Sequence, residues 1–188
     1  MKISGLKLIK PQVYPDSRGL FFESYREPQY EIKFVQDNFS LSKKNVLRGM
    51  HFQAEPGQDK LVTVLQGQVF DVVVDMRVGS PTFGKWEAVI LDDKNRFLLY
   101  IPKGFAHGYL VLSDEALFHY KVSSFYNPKT ECGFLWNDPK IGIAWPVKDP
   151  ILSERDLKNP NFNSYEKNLG IRSIGATRKR DSSALTKK

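Results

Sequence analysis

Two short segments hold this chain's clearest candidates for chemistry: Arg48-Gly49-Met50-His51-Phe52-Gln53 and Pro102-Lys103-Gly104-Phe105-Ala106-His107-Gly108. Each sets one histidine in or beside an extended apolar stretch, with glycines close by, and the two imidazoles lie 56 positions apart. An imidazole with an unperturbed pKa of ~6.5 can take or give a proton near neutral pH. Holding a divalent metal asks for more, because several nitrogen, oxygen or sulfur donors must converge on one point. Here Gln53 stands two residues after His51, and the cation Lys60 opens the next apolar stretch. Two separated imidazoles and a lysine repel a divalent ion more than they hold one. The pattern predicts proton chemistry without a metal.

The elements around these residues read as β-structure. From Val35 to Tyr126 the chain runs in short apolar stretches punctuated by Gly, Pro and Asp/Asn: Lys60–Leu65, Val69–Met76, Lys85–Leu91, Phe97–Ile101, Tyr109–Leu112 and Ala116–Val122. Lys85–Leu91 alternates with period two, as a half-buried strand does, and Asp92-Asp93-Lys94-Asn95 turns the chain. No long stretch has apolar residues at helical spacing. Many short strands without intervening helices predict a sandwich or barrel, most simply a jelly roll, with short helices only near Glu27–Lys33 and after Ser153.

Composition excludes several function classes. The 188 residues suffice for one domain with a real core, and 41% hydrophobic with 26% charged residues is ordinary for a soluble protein. No apolar run approaches the ~20 residues of a membrane span, and Met1-Lys2-Ile3-Ser4-Gly5 does not open a secretory signal. The single cysteine, Cys132, has no intrachain partner and reads as a small packing residue. A cytoplasmic protein is expected. The net charge of +7 suggests nucleic acid until it is located: residues 161–188 carry seven basic against two acidic residues, leaving +2 on the rest. The excess belongs to a polar, aromatic-poor tail, so no nucleic-acid partner is expected. The composition change places a folded domain at 1–160 and a loosely ordered basic extension at 161–188.

The two histidine segments resemble the paired motifs of the cupin barrels. A metal-binding cupin, however, would have histidine where Gln53 stands and a carboxylate where Lys60 stands. More specific is a series of motifs in order: Asp16-x-Arg18-Gly19-x-x-x-Glu23, Gln36-Asp37-Asn38-x-Ser40, Leu47-Arg48-Gly49-x-His51-x-Gln53 and Gln58-x-Lys60-Leu61-Val62. It continues with Asp71-x-x-x-Asp75-x-Arg77-x-Gly79-Ser80-Pro81-Thr82-Phe83-Gly84, Pro102-x-Gly104-Phe105-Ala106-His107-Gly108, Tyr120-Lys121, Trp136-Asn137-Asp138-Pro139, Trp145-Pro146 and Ser153-x-x-Asp156. Taken together these resemble the dTDP-4-dehydrorhamnose 3,5-epimerase family of metal-free cupins. The match runs from Asp16 to Asp156.

The resemblance implies an all-β cupin-type jelly-roll barrel with a few short helices, no cofactor, and a dTDP-4-dehydro-6-deoxyglucose substrate. Its ketone acidifies the protons on carbons 3 and 5, so the reaction needs a base, an acid on the opposite face of the ring and a group to stabilise the enolate. The resemblance gives His51 as base, Asp156 as the carboxylate that orients it, Tyr120 as acid and Lys60 as the cation near the enolate oxygen. His107 shares the pocket, and Tyr126 is a second tyrosine at the site. Arg18 and Arg48 match phosphate-binding positions, where a guanidinium can bond two oxygens at once. Glu23, Gln36, Asp37, Asn38, Glu131 and Arg155 match positions lining the nucleotide-sugar site, although Arg155 stands where some members have lysine. Arg18 and Glu23 would come from a partner subunit, which implies a homodimer.

Other readings compete. A single-carbon epimerase of a related deoxysugar pathway would use the same scaffold, and a non-catalytic cupin could bind a sugar nucleotide. Ser153-x-x-Asp156 is also a helix-capping pattern, which would explain Asp156 without catalysis. The full set of base, acid and cation favours the double epimerase.

Overall fold

The computed structural model describes residues 1–27 and 30–168. Its strands are β1 (Lys7–Ile9), β2 (Val13–Asp16), β3 (Gly19–Phe22), β4 (Gln36–Lys43), β5 (Leu47–Gln53) and β6 (Lys60–Gln66). They continue with β7 (Gln68–Asp75), β8 (Trp86–Asp92), β9 (Leu98–Ile101), β10 (Phe105–Val111), β11 (Glu115–Val122) and β12 (Glu131–Gly133), followed by helices α1 (Glu154–Leu157) and α2 (Phe162–Asn168). Two five-stranded sheets, ordered β1-β9-β6-β11-β4 and β12-β5-β10-β7-β8, stand apart from a β2–β3 hairpin. All their strand pairs are antiparallel. This is the expected cupin-type jelly roll. Alternation along each strand explains the layering: Val62, Val64, Leu99, Phe118, Val69, Val73 and Tyr109 face inward into one core.

A second cluster packs Met50, Phe52, Val72, Val74, Phe134 and Phe162 behind the other sheet. Phe162, at the start of α2, is 1% exposed, and its N–H donates to the buried Asp138 carboxylate at 2.7 Å. Tyr165 packs edge-on to Phe52. The body therefore continues past residue 160, where the composition change puts its end. An aromatic ring bound to the core outweighs the polar character of its neighbours. The rest of the expected extension, 169–188, lies outside the described residues.

Around Glu27–Lys33 no described residue is in an α-helix. Tyr25, Tyr30 and Phe34 instead pack on one another, and Tyr30 on Tyr100, in a cluster with Leu61 and Leu98 outside the first sheet. Aromatic burial overrides local helical preference here. The Asp75 motif has a structural explanation. Its buried carboxylate accepts from Arg77, Ser80 and Thr82. Burial pushes the carboxyl up, but those donors win and hold it at about 2. The knot closes the turn between β7 and β8, and Arg77 lies 4.5 Å from the Phe105 ring at the start of β10.

Candidate active site

Between the sheets opens a cavity of ≈ 640 Å³, within the range of small-molecule sites. His51 on β5 and His107 on β10 are direct register partners on neighbouring strands. Two glycines permit that approach: a Cβ on Gly49 would sit 2.6 Å from Gly108 Cα, and one on Gly108 would sit 2.8 Å from Arg48 O. Gly49 also has φ +136, which L side chains rarely adopt. The glycines beside the histidines therefore let two backbones touch where the pairing register shifts between His107 and Tyr109.

His51 Nε2 lies 2.5 Å from Asp156 Oδ1. With the carboxylate accepting from Nε2–H, Nδ1 is the nitrogen left to take a proton. Burial acts to raise the Asp156 carboxyl, but hydrogen bonds from His51, Ser153 and the Gly49 backbone hold it below the ordinary range, so it stays an anion beside the imidazole. The capping reading is half right. Ser153 is the N-cap of α1 and accepts from Asp156 N at 3.1 Å, while the Asp156 carboxylate reaches His51 as well as the cap.

His107 makes a second, deeper pair. Its Nε2 is 3.0 and 2.9 Å from the two oxygens of Asp71, a fully buried carboxylate on β7. Burial pushes the Asp71 carboxyl up, against the pull of His107 and Lys60. Lys60 opens β6 on the opposite sheet. Burial drives its ammonium down to about 8, although the carboxylates of Glu131 and Asp71 act to raise it.

Tyr120 on β11 lines the same cavity from the first sheet, and His51 lines it from the second. Burial and the neighbouring Tyr109 raise its hydroxyl pKa, so it remains a proton donor at neutral pH. At the mouth, Arg155 Nη1 meets Glu131 Oε2 at 2.5 Å, and Tyr126 also bonds Glu131. Arg48 gives its Nε–H to Ser42 Oγ at 3.1 Å and leaves its other nitrogens available.

Gln36, Asn38, Arg48, His51, Lys60, His107, Tyr120, Tyr126, Glu131, Arg155 and Asp156 thus meet around one cavity. Three expected residues do not. Asp37 lies on the outer face of β4, where Lys121 Nζ approaches it at 2.7 Å; period-two alternation sends Gln36 and Asn38 inward and Asp37 out. Arg18 sits on the hairpin with its side chain 88% exposed, paired with Asp16. Glu23 lies beyond the hairpin and bonds Arg26. Among the lining residues, Tyr109 stands outside the quoted motifs and Ser40 stands inside one without a site role; the two are joined at 2.7 Å. Ser40 is an inward position of β4, and the alternation from Asn38 would have found it. No group of three His, Cys, Asp or Glu among the described residues could hold a metal ion.

The sequence model of the dTDP-4-dehydrorhamnose 3,5-epimerase family matches residues 1–164. A dTDP-4-dehydrorhamnose 3,5-epimerase of Shigella flexneri is 49% identical over 168 residues, covering 86% of this chain and 93% of that protein. A Neisseria gonorrhoeae protein of the same name is 51% identical over 171 residues, or 88% of this chain; this chain spans about half (52%) of that longer relative. Among solved structures, a dTDP-6-deoxy-D-glucose-3,5-epimerase from Legionella pneumophila, in complex with dTDP-4-keto-L-rhamnose, superposes with a TM-score of 0.86. It shows 45% identity and covers 90% of this chain and 94% of that one.

Proposed function

This chain belongs to the dTDP-4-dehydrorhamnose 3,5-epimerase family, and from that premise we propose how its own residues carry out the reaction. The substrate is dTDP-4-dehydro-6-deoxy-D-glucose and the product dTDP-4-dehydro-L-rhamnose, a step of dTDP-L-rhamnose biosynthesis. His51 Nδ1 takes the proton from carbon 3 or carbon 5, and the electron pair moves into the ketone to form an enolate. Asp156 holds the resulting imidazolium in place. The Lys60 ammonium stabilises the enolate oxygen. Tyr120 then gives its hydroxyl proton to the opposite face of the same carbon, and exchange with solvent restores both groups.

The observation that carries this reading is the placement of base and acid. His51, backed by Asp156 on α1, projects from one sheet and Tyr120 from the other, so a ring bound between them would meet a base on one face and an acid on the other. Inversion of a carbon by a separate base and acid uses that arrangement.

Arg48 would take up phosphate, with its plane set by Ser42. Arg18 and Glu23 would serve the pocket of a second copy in a homodimer. The outward Phe39 and Leu41 on edge strand β4 are 62% and 61% exposed, and Tyr14 and Phe21 on the hairpin 58% and 67%, apolar surface that a second copy would cover. The partners are thus the sugar nucleotide and a second copy, with no nucleic acid. No described helix is long and apolar enough to cross a membrane. We assign the protein to the cytoplasm, where the free, half-buried Cys132 thiol would persist.

Turnover in deuterated water tests the reaction. Deuterium at both carbon 3 and carbon 5 of the product is expected, whereas label at carbon 3 alone would make the protein a single-carbon epimerase.

A further inference from the structure

We propose that Asp59, which touches no substrate, is the positioning residue that fixes the height of Lys60 in the pocket and its register against Tyr120. The inference rests on the role of Lys60 given above. Lys60 is the first residue of β6, where a strand would fray, and the Ala54–Asp59 loop before it contains Pro56 and Gly57. A lysine at such a position, with its ammonium penalised by burial, gains by swinging out to water. Something has to oppose that movement.

Side chains alternate across a strand, so a residue pinned on the outer face forces its neighbour inward. Leu61 packs in the outer aromatic cluster and Val62 in the inner core. Asp59 accordingly lies outside and Lys60 inside. The Asp59 carboxylate accepts from three separate elements: Tyr100 O–H on β9 at 2.9 Å, Lys103 N–H in the turn before β10 at 3.2 Å, and Ser123 Oγ–H just after β11 at 2.9 Å. The backbone repeats the last contact, since Ser123 N–H donates to Asp59 O at 3.1 Å. Gln58 Nε2–H donates to Ser124 O at 2.8 Å, and Ser124 Oγ–H to Gly57 O at 3.1 Å.

These bonds zip the approach to Lys60 onto the end of the strand that carries Tyr120, with Lys60 opposite Val122 and Val62 opposite Tyr120. Burial and the bond to Asp59 both raise the Tyr100 hydroxyl pKa, so Tyr100 remains a donor throughout the working pH range. The carboxylate thus sets where the enolate's cation sits relative to the acid that ends the reaction.

A double-mutant cycle on the full-length protein tests this, with kcat, KM, dTDP affinity and thermal midpoint measured for Asp59→Asn, Lys60→Met and the double variant. Asp59→Asn is nearly isosteric and should lower kcat about tenfold while KM and dTDP affinity stay within about twofold. Lys60→Met should lower kcat by about 10²–10³, as for loss of one oxyanion-stabilising group. In the Lys60→Met background, Asp59→Asn should change kcat less than twofold, because a residue that acts through Lys60 has nothing left to position. Tyr100→Phe, which deletes one donor and keeps the ring, should lower kcat about threefold and takes the place of Asp59→Asn in the cycle if that variant does not fold. Equal losses from Asp59→Asn in both backgrounds would overturn the proposal while leaving Lys60 its role. A Lys60→Met enzyme with normal kcat would overturn both, and that single variant tells the two failures apart.

Discussion

Each reactive side chain of the pocket's dyads is held by a second group, whereas the β2–β3 hairpin leaves its functional candidates in solvent. His51 is fixed by Asp156, His107 by Asp71 and Arg48 by Ser42. On the hairpin, Arg18 pairs with its neighbour Asp16, and Tyr14 and Phe21 lie more than half exposed. Inside one chain the first region brings the proposed base, acid and cation around one cavity. The second presents exposed apolar surface and charge away from that cavity. Under the proposed function the contrast divides chemistry from nucleotide capture: one chain would suffice to move protons, and the hairpin would work for a neighbouring copy.

The largest expected effect breaks the first region. His51→Ala should lower kcat by about 10²–10⁴ at both carbons, the usual cost of a lost general base. Affinity for dTDP should be retained, as measured by titration calorimetry. If isotope exchange at either carbon survived near the wild-type rate, another group would be the base there.

Arg18→Ala probes the second region. It should raise KM for the dTDP-sugar about tenfold, equivalent to ~1.4 kcal/mol of phosphate binding, and leave kcat within about twofold. Mixing the inactive His51→Ala protein with the Arg18→Ala protein sharpens the comparison. Mixed dimers would restore one pocket with both a wild-type His51 and a wild-type Arg18, so part of the population should regain normal KM. An unaltered KM in Arg18→Ala would remove the hairpin from the site.

The buried cation gives a pH signature. Burial lowers Lys60 to about 8, with the carboxylates of Glu131 and Asp71 opposing that shift. Its ammonium is therefore present below about pH 8 and lost above it, and kcat should fall as pH rises through that value. Stability moves the other way. Between about 8 and the ordinary lysine value of 10.5 the unfolded chain binds the proton that the folded lysine has released, so this group's contribution to stability rises with pH. Rate profiles and thermal midpoints over the same range check the pair of trends. A rate that fell only together with the midpoint would point to unfolding.

The smallest effect on chemistry is expected from Phe162, which is buried behind the second sheet and does not line the cavity. Phe162→Ala should cost about 3–5 kcal/mol of stability by urea unfolding. At temperatures where the variant stays folded, kcat should be nearly unchanged.

Much of this was legible from the sequence. The alternation of Lys85–Leu91 and the Asp92–Asn95 turn predicted β8 and its end, and the ordered motifs brought most of the cavity-lining residues forward. Asp37 matches a family position lining the site, but the strand period turns it away. Phe162 and Tyr165 were assigned to a loose extension because their neighbours are polar, and only the tertiary fold reveals the apolar groove that receives them. Asp71 pairs with His107 across 36 positions, a contact set by the β7–β10 register and invisible to local spacing. The Asp59 anchor is likewise made by three elements distant in sequence.

The central claim, that His51 and Tyr120 act on opposite faces of one bound ring, is tested most directly by Tyr120→Phe in deuterated water. The ring and its packing remain, the hydroxyl is gone, and His51 can still remove protons. Mass spectrometry and NMR of recovered sugar nucleotide should show solvent deuterium entering at carbon 3 or carbon 5 with little inverted product, because without a donor across the ring the proton returns from the side it left. Inversion at the wild-type rate at both carbons would contradict the claim and leave Tyr120 as a packing residue.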